Sequence, residues 1–157
     1  MNLEEKIVGV LQEKGYTITT AESCTGGLLA GTIINVAGAS DVYNEGYITY
    51  SNEAKERLLG VKHQTLETYG AVSEQTAMEM ALGAAKASGS NVALSTTGIA
   101  GPGGGSSEKP VGLVYIGCVI NDRVEVEKCC FQGSRKEVRD AAVNEALGFL
   151  LGNLSNL

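Results

Sequence analysis

The chain of 157 residues lacks any run of about eighteen apolar residues, the length a helix needs to cross a bilayer. Its opening, Met1-Asn2-Leu3-Glu4-Glu5-Lys6, lacks the basic and apolar regions of a secretory leader, so the expected location is the cytoplasm, with no membrane partner. A basic excess is missing too. Twelve Lys and Arg stand against eighteen Asp and Glu, for a net charge of -6, and the basic residues are scattered. A nucleic-acid surface needs them clustered, so no nucleic acid is expected and a small molecule is the favoured partner. The four cysteines, Cys24, Cys118, Cys129 and Cys130, have neither C-x-x-C spacing nor flanking histidines, which disfavours a zinc site; no metal is expected. Cys129 and Cys130 are neighbours in an apparent strand, on opposite faces, and read as small buried hydrophobes; all four read as reduced structural thiols. Histidine occurs once. A Ser-His-Asp triad would rest on His63 alone, and a surface histidine is the commoner reading.

What is present has the composition of a globular protein, 43% hydrophobic and 19% charged, and the length of one domain spanning residues 1–157. Leu3, Ile7, Val10 and Leu11 recur at helical spacing and predict a first helix ending near Lys14-Gly15. A strand over Tyr16 to Thr20 follows, then a helix beginning near Thr25 and a loop over Val36 to Ser40. Tyr43 to Tyr50 is rich in Tyr, Ile and Thr and predicts a second strand. Ser51 caps a short helix through Leu59, stopped by Gly60. His63 to Val72 reads as irregular, and an Ala-rich helix runs from Ser73-Glu74 to about Ser88. Asn91 to Thr97 predicts a third strand. Val111 to Ile120 and Arg123 to Phe131 form a hairpin turned at Asn121-Asp122, and a Ser134/Glu137 capping box opens a helix to about Leu151. The order predicts an α/β fold: a three-layer α/β/α sandwich around a mixed sheet of about five strands.

The chemistry gathers at Thr20-Ala21-Glu22-Ser23-Cys24-Thr25-Gly26-Gly27, which places Ser23 at a strand-to-helix turn. The N–H groups of a helix start favour an anion there, and Thr25, Gly26 and Gly27 are candidate ligand contacts. The G-x-S-x-G elbow is absent, since Ala21 and Thr25 occupy its glycine positions, and an α/β-hydrolase is disfavoured. Tyr50 and Lys55 offer a base instead. A lysine serves only when neutral, and desolvation can lower its pKa to about 7 or 8. An exposed helical lysine beside an ordinary strand tyrosine is the simpler alternative. Thr97 to Gly105 holds five glycines, among them Gly98, Gly101, Gly103 and Gly104, whose N–H groups can form an anion nest; a flexible linking loop is the other reading. The loop has neither the P-loop nor the Rossmann order, so an NTPase or dehydrogenase is disfavoured. Arg135 can bind phosphate or be solvated.

Ala21 to Gly27, Tyr50-Ser51-Asn52-Glu53-Ala54-Lys55, Tyr69-Gly70-Ala71-Val72-Ser73, and Thr97 to Gly105 followed by Glu108-Lys109-Pro110-Val111-Gly112 occur in this order. With them the chain resembles the CinA C-terminal domain family, which includes the nicotinamide-nucleotide amidohydrolases, in its stand-alone form. The resemblance implies hydrolysis of the carboxamide of nicotinamide mononucleotide to nicotinate mononucleotide and ammonia. It matches Ser23 to the nucleophile, and Tyr50 and Lys55 to its activating partners. It also implies that backbone groups near Thr25, Gly26 or the glycine loop hold the oxyanion, that the loop and Arg135 hold the ribose phosphate, and that the protein is a homo-oligomer. No cofactor is required. The pattern departs from the family at Asn44-Glu45-Gly46, where Glu45 is expected to alter the pocket, and at Ser134, which replaces an acidic residue. The rival readings are a nucleotide-binding or regulatory module without turnover and a cysteine hydrolase using Cys24.

Overall fold

Four of the six α-helix starts in this chain are fixed by short polar side chains that accept N–H groups the helix leaves unpaired. In the computed structural model, which describes residues 1–157, Asn2 accepts the Glu5 amide at 2.9 Å and opens α1 (Leu3–Lys14), and Gly15 in the left-handed region ends it. Ser51 opens α3 (Asn52–Leu59), Ser73 opens α5 (Glu74–Ser88), and Ser134 with Glu137 closes a capping box at the start of α6 (Arg135–Ser155). The remaining helices are α2 (Leu28–Ile34) and α4 (His63–Tyr69), with one 3-10 turn over Ala39–Asp41.

The strands are β1 (Ile18–Glu22), β2 (Tyr47–Ile48), β3 (Val92–Gly98), β4 (Leu113–Ile120) and β5 (Arg123–Cys130). They form one mixed sheet in the order β2-β1-β3-β4-β5. The first three run parallel, and β4 and β5 are antiparallel additions. Alternation along the strands divides the core. Val92 and Leu94 join Ile7, Leu11, Ile33 and Leu147 under α1, α2 and α6, while Ala93 joins Met80, Ala81 and Ala84 of α5 on the other face. α5 lies so close to the sheet that a Cβ on Gly117 would come within 2.6 Å of the Ala77 carbonyl. The result is the predicted α/β/α sandwich with five strands. None of its helices is long and apolar enough to cross a membrane.

Four local expectations are corrected. β2 is two residues long, not eight, because the chain folds tightly at Gly46: a Cβ there would lie 1.9 Å from Tyr43 Oη. His63 to Val72 is not irregular but contains α4, held from α5, where Glu79 accepts the Lys62 amide at 2.9 Å and the Thr65 hydroxyl at 2.7 Å. α6 continues to Ser155. Cys130 is exposed rather than buried, since β5 is an edge strand with an open face.

Because β1, β2 and β3 are parallel, their C-terminal ends meet at one edge of the sheet. Ser23 follows β1, the segment Thr49 to Lys55 follows β2, and the glycine loop follows β3. Ligand sites of open α/β sheets form at this edge.

Candidate active site

The edge carries a pocket of about 320 Å³, within the range of small-molecule sites. Ser23, Tyr50, Lys55, Thr97, Gly98, Gly101, Gly103, Gly104 and Arg135 all line it. Lys55 and Arg135 are its cations, and no carboxylate lines it although the chain is acidic as a whole. An anionic ligand is favoured there.

Lys55 lies one turn into α3, is 1% exposed, and points its amine at the end of β1. Its Nζ donates to Ser23 Oγ at 3.0 Å and to the Thr49 carbonyl at 2.8 Å. Both partners are neutral oxygens, so removal from water dominates and lowers the amine's pKa from 10.5 to about 8. At pH 7 about one molecule in ten then carries a neutral amine, against roughly one in three thousand for an unperturbed lysine. The Thr49 hydroxyl is fully buried beside this pair and has no hydrogen-bond partner.

Tyr50 is 64% exposed, and its hydroxyl accepts from Arg135 Nη2 at 2.9 Å rather than bridging Ser23 and Lys55. Arg135 Nη1 donates to the Gly101 carbonyl at 2.9 Å, so the tyrosine, the arginine and the glycine loop are tied together. In that loop the amides of Ala100, Gly101, Gly103 and Gly104 donate to no protein acceptor. All four residues line the pocket, where unpaired N–H groups can serve an anion. Gly98 is required by close approach, since a Cβ would come within 2.6 Å of Val114 and 2.7 Å of the Leu113 carbonyl. The Thr97 hydroxyl is occupied by the Ala71 carbonyl at 2.7 Å and anchors the segment before α5.

Thr25, Gly26 and Gly27 do not line the pocket. Thr25 is fully buried, with its hydroxyl donated to Glu22 at 2.6 Å and shared with Thr96 at 2.7 Å. The start of α2, expected to face a ligand, is filled from within: the Glu22 carboxylate accepts the amides of Leu29 and Ala30 at 2.9 and 3.0 Å. The buried acid caps the helix and braces the nucleophile turn. Glu45 also stays out of the pocket and accepts the Tyr47 hydroxyl instead.

Cys24 is buried beside Ser23, and desolvation raises its thiol to about 11, which leaves little thiolate for a cysteine nucleophile. His63 lies outside the pocket between Glu56 and Glu67, and its hydrogen bond to the Glu56 carboxylate raises its pKa. The sequence reading missed Glu22, Asn52 and Arg139. Asn52 lines the pocket one turn before Lys55. Arg139, one turn beyond Arg135, donates from Nε to the Cys24 carbonyl at 2.9 Å and from Nη2 to the Thr25 carbonyl at 3.2 Å. The i,i+4 spacing of the two arginines was the signal available for it.

The CinA C-terminal domain model matches residues 1–154. A relative in Clostridium acetobutylicum is 54% identical over 156 residues, 99% of this chain and 38% of that protein. A CinA-like protein of Kosmotoga olearia is 56% identical over 149 residues, 95% of this chain and 36% of that one. The chain thus spans less than two fifths of the length of these curated relatives. The solved structure of a competence/damage inducible protein from Agrobacterium tumefaciens is 46% identical with a TM-score of 0.93, covering 98% of this chain and 93% of that one. A CinA superfamily protein from Klebsiella pneumoniae is 34% identical with a TM-score of 0.95, covering 99% and 97%.

Proposed function

The chain belongs to the CinA C-terminal domain family, and we propose that it is an amidohydrolase converting nicotinamide mononucleotide to nicotinate mononucleotide and ammonia. One observation carries this reading: the 3.0 Å contact between Ser23 Oγ and a buried lysine amine that no carboxylate neutralises. Lys55 Nζ in its neutral form takes the proton of Ser23 as Oγ bonds to the amide carbon. The tetrahedral adduct then collapses, the C–N bond breaks, and the Lys55 proton leaves with the nitrogen as ammonia. Water attacks the acyl-enzyme, gives a proton to Lys55, and restores the serine. Residues 1–157 act as one domain in this reading.

The other end of the substrate is a phosphate, and the free amides of the glycine loop with Arg135 suit it. Tyr50, expected as an activating partner, holds Arg135, and the proton path runs directly between Ser23 and Lys55. The pyridinium ring meets no carboxylate in the pocket. The reaction needs no cofactor. The family reading also makes the protein a homo-oligomer, a state that light scattering on purified protein measures, and a cytoplasmic setting goes with this reading.

The test is ammonia release from nicotinamide mononucleotide. Wild type releases it, and Ser23→Ala and Lys55→Ala each lower the rate by at least about a thousandfold. A wild type that binds the nucleotide and releases nothing would replace this reading with that of a nucleotide-binding module.

A further inference from the structure

Arg139 reaches 115 residues back along the chain to the nucleophile turn, where its guanidinium holds two successive carbonyls, those of Cys24 and Thr25. It pairs with no carboxylate. The third carbonyl of the turn, that of Ser23, accepts the Gly26 amide at 3.2 Å. A planar trans peptide directs its N–H opposite its C=O. Fixing the carbonyls of Ser23 and Cys24 therefore fixes the amides of Cys24 and Thr25, and neither amide donates to a protein acceptor. Cys24 lines the pocket and Arg139 does not, so the held carbonyl leaves on the side away from the ligand. The Gly26 amide is already occupied, and the α2 amides of Leu29 and Ala30 belong to Glu22.

We propose that the amide of Cys24, in the pocket wall, and that of Thr25, one residue behind it, form the oxyanion site for the Ser23 adduct, and that Arg139 is the positioning residue that sets the Thr25 amide through the Cys24 carbonyl and the Cys24 amide through the Thr25 carbonyl, the Gly26 amide and the Ser23 carbonyl. The proposal rests on the hydrolase reading above and supplies the donors it leaves open. Donors fixed before the reaction stabilise developing charge without reorganising, and a misplacement of about 1 Å lowers a rate about a hundredfold. Gly26 fits the same arrangement. Its φ is +53°, and a Cβ there would press within 3.2 Å of Arg139 Nη2.

The experiment compares Arg139→Met and Arg139→Lys with wild type in two assays. With nicotinamide mononucleotide, Arg139→Met is expected to lower kcat about a hundredfold, leave KM within about threefold, and keep the alkaline rise of the rate where it was. Arg139→Lys, which can hold one carbonyl, recovers part of the loss. With a fluorophosphonate, Ser23 displaces fluoride and the phosphoryl oxygen carries the developing charge; intact mass follows the adduct. Arg139→Met slows this labelling by a similar factor. Unchanged kcat and labelling overturn the proposal, as does a loss confined to KM, which would make Arg139 a ligand-binding group. A moved pH limb overturns it by assigning the effect to Lys55. If Arg139→Met fails to fold, Gly26→Ala replaces it with the same expected pattern. Labelling that slows in the variant while wild type releases no ammonia from the nucleotide sinks the substrate assignment and leaves the oxyanion site standing. A wild-type Ser23 that takes no label overturns both.

Discussion

Lys55 Nζ and Ser23 Oγ are 32 residues apart in sequence and 3.0 Å apart in space. The pairing of β1 with β2 brings them together, because the segment after each parallel strand emerges at the same edge. The amine has no ionic partner to hold its proton, and several outcomes follow from that.

The kcat/KM profile is expected to rise with pH along a limb whose apparent pKa lies near 8, the value burial imposes on Lys55. Below that pH the amine is protonated and cannot accept from serine. A rate that is flat between pH 6 and 9 would remove Lys55 as the base.

Stability should carry the same signature with a defined sign. The folded chain binds the Lys55 proton less tightly than the unfolded chain, so stability rises with pH between about 8 and 10.5 and the full cost is present below 8. Lys55→Met removes this cost along with the activity. Its gain in unfolding free energy relative to wild type is expected to be about 2.5 kcal/mol larger at pH 7 than at pH 10, measured by urea titration at both.

Tyr50→Phe separates a proton relay from a prop. The hydroxyl serves Arg135, so its loss should raise KM for the nucleotide several-fold and leave kcat within about threefold. A kcat falling by a hundredfold or more would return Tyr50 to the proton path.

Thr49→Val addresses the one buried hydroxyl without a partner. The replacement keeps the shape and the carbonyl that Lys55 uses, and it removes an unsatisfied polar atom. An increase in unfolding free energy of about 1 kcal/mol is expected, with activity retained. Destabilisation would mean that the hydroxyl has a partner in solution.

Elements with local signals were legible. Ser51, Ser73 and the Ser134/Glu137 box announce their helices, and Asn121 turns the hairpin with a φ of 53°. Elements stabilised from a distance were not. α4 has no side-chain cap of its own and borrows Glu79 from α5, while β-rich Tyr43 to Tyr50 is bent at Gly46 by the room Tyr43 requires. The site divides the same way. Ser23, Lys55 and the glycine loop stand in recognisable strings, whereas Arg139 acts on carbonyls 114 and 115 residues away and its one local sign is the four-residue spacing from Arg135. The start of α2, expected to be open to a ligand, was not legible as closed, because the group that fills it, Glu22, lies on the preceding strand.

The capping box at Ser134 has a reach beyond starting a helix. It fixes where the first turn of α6 begins, and with it the phase at which residues 135 and 139 arrive on the same flank. One rigid rod therefore carries the group tied to the glycine wall and the group gripping the nucleophile bend, so that shifting its register by a single residue would rotate both off target together.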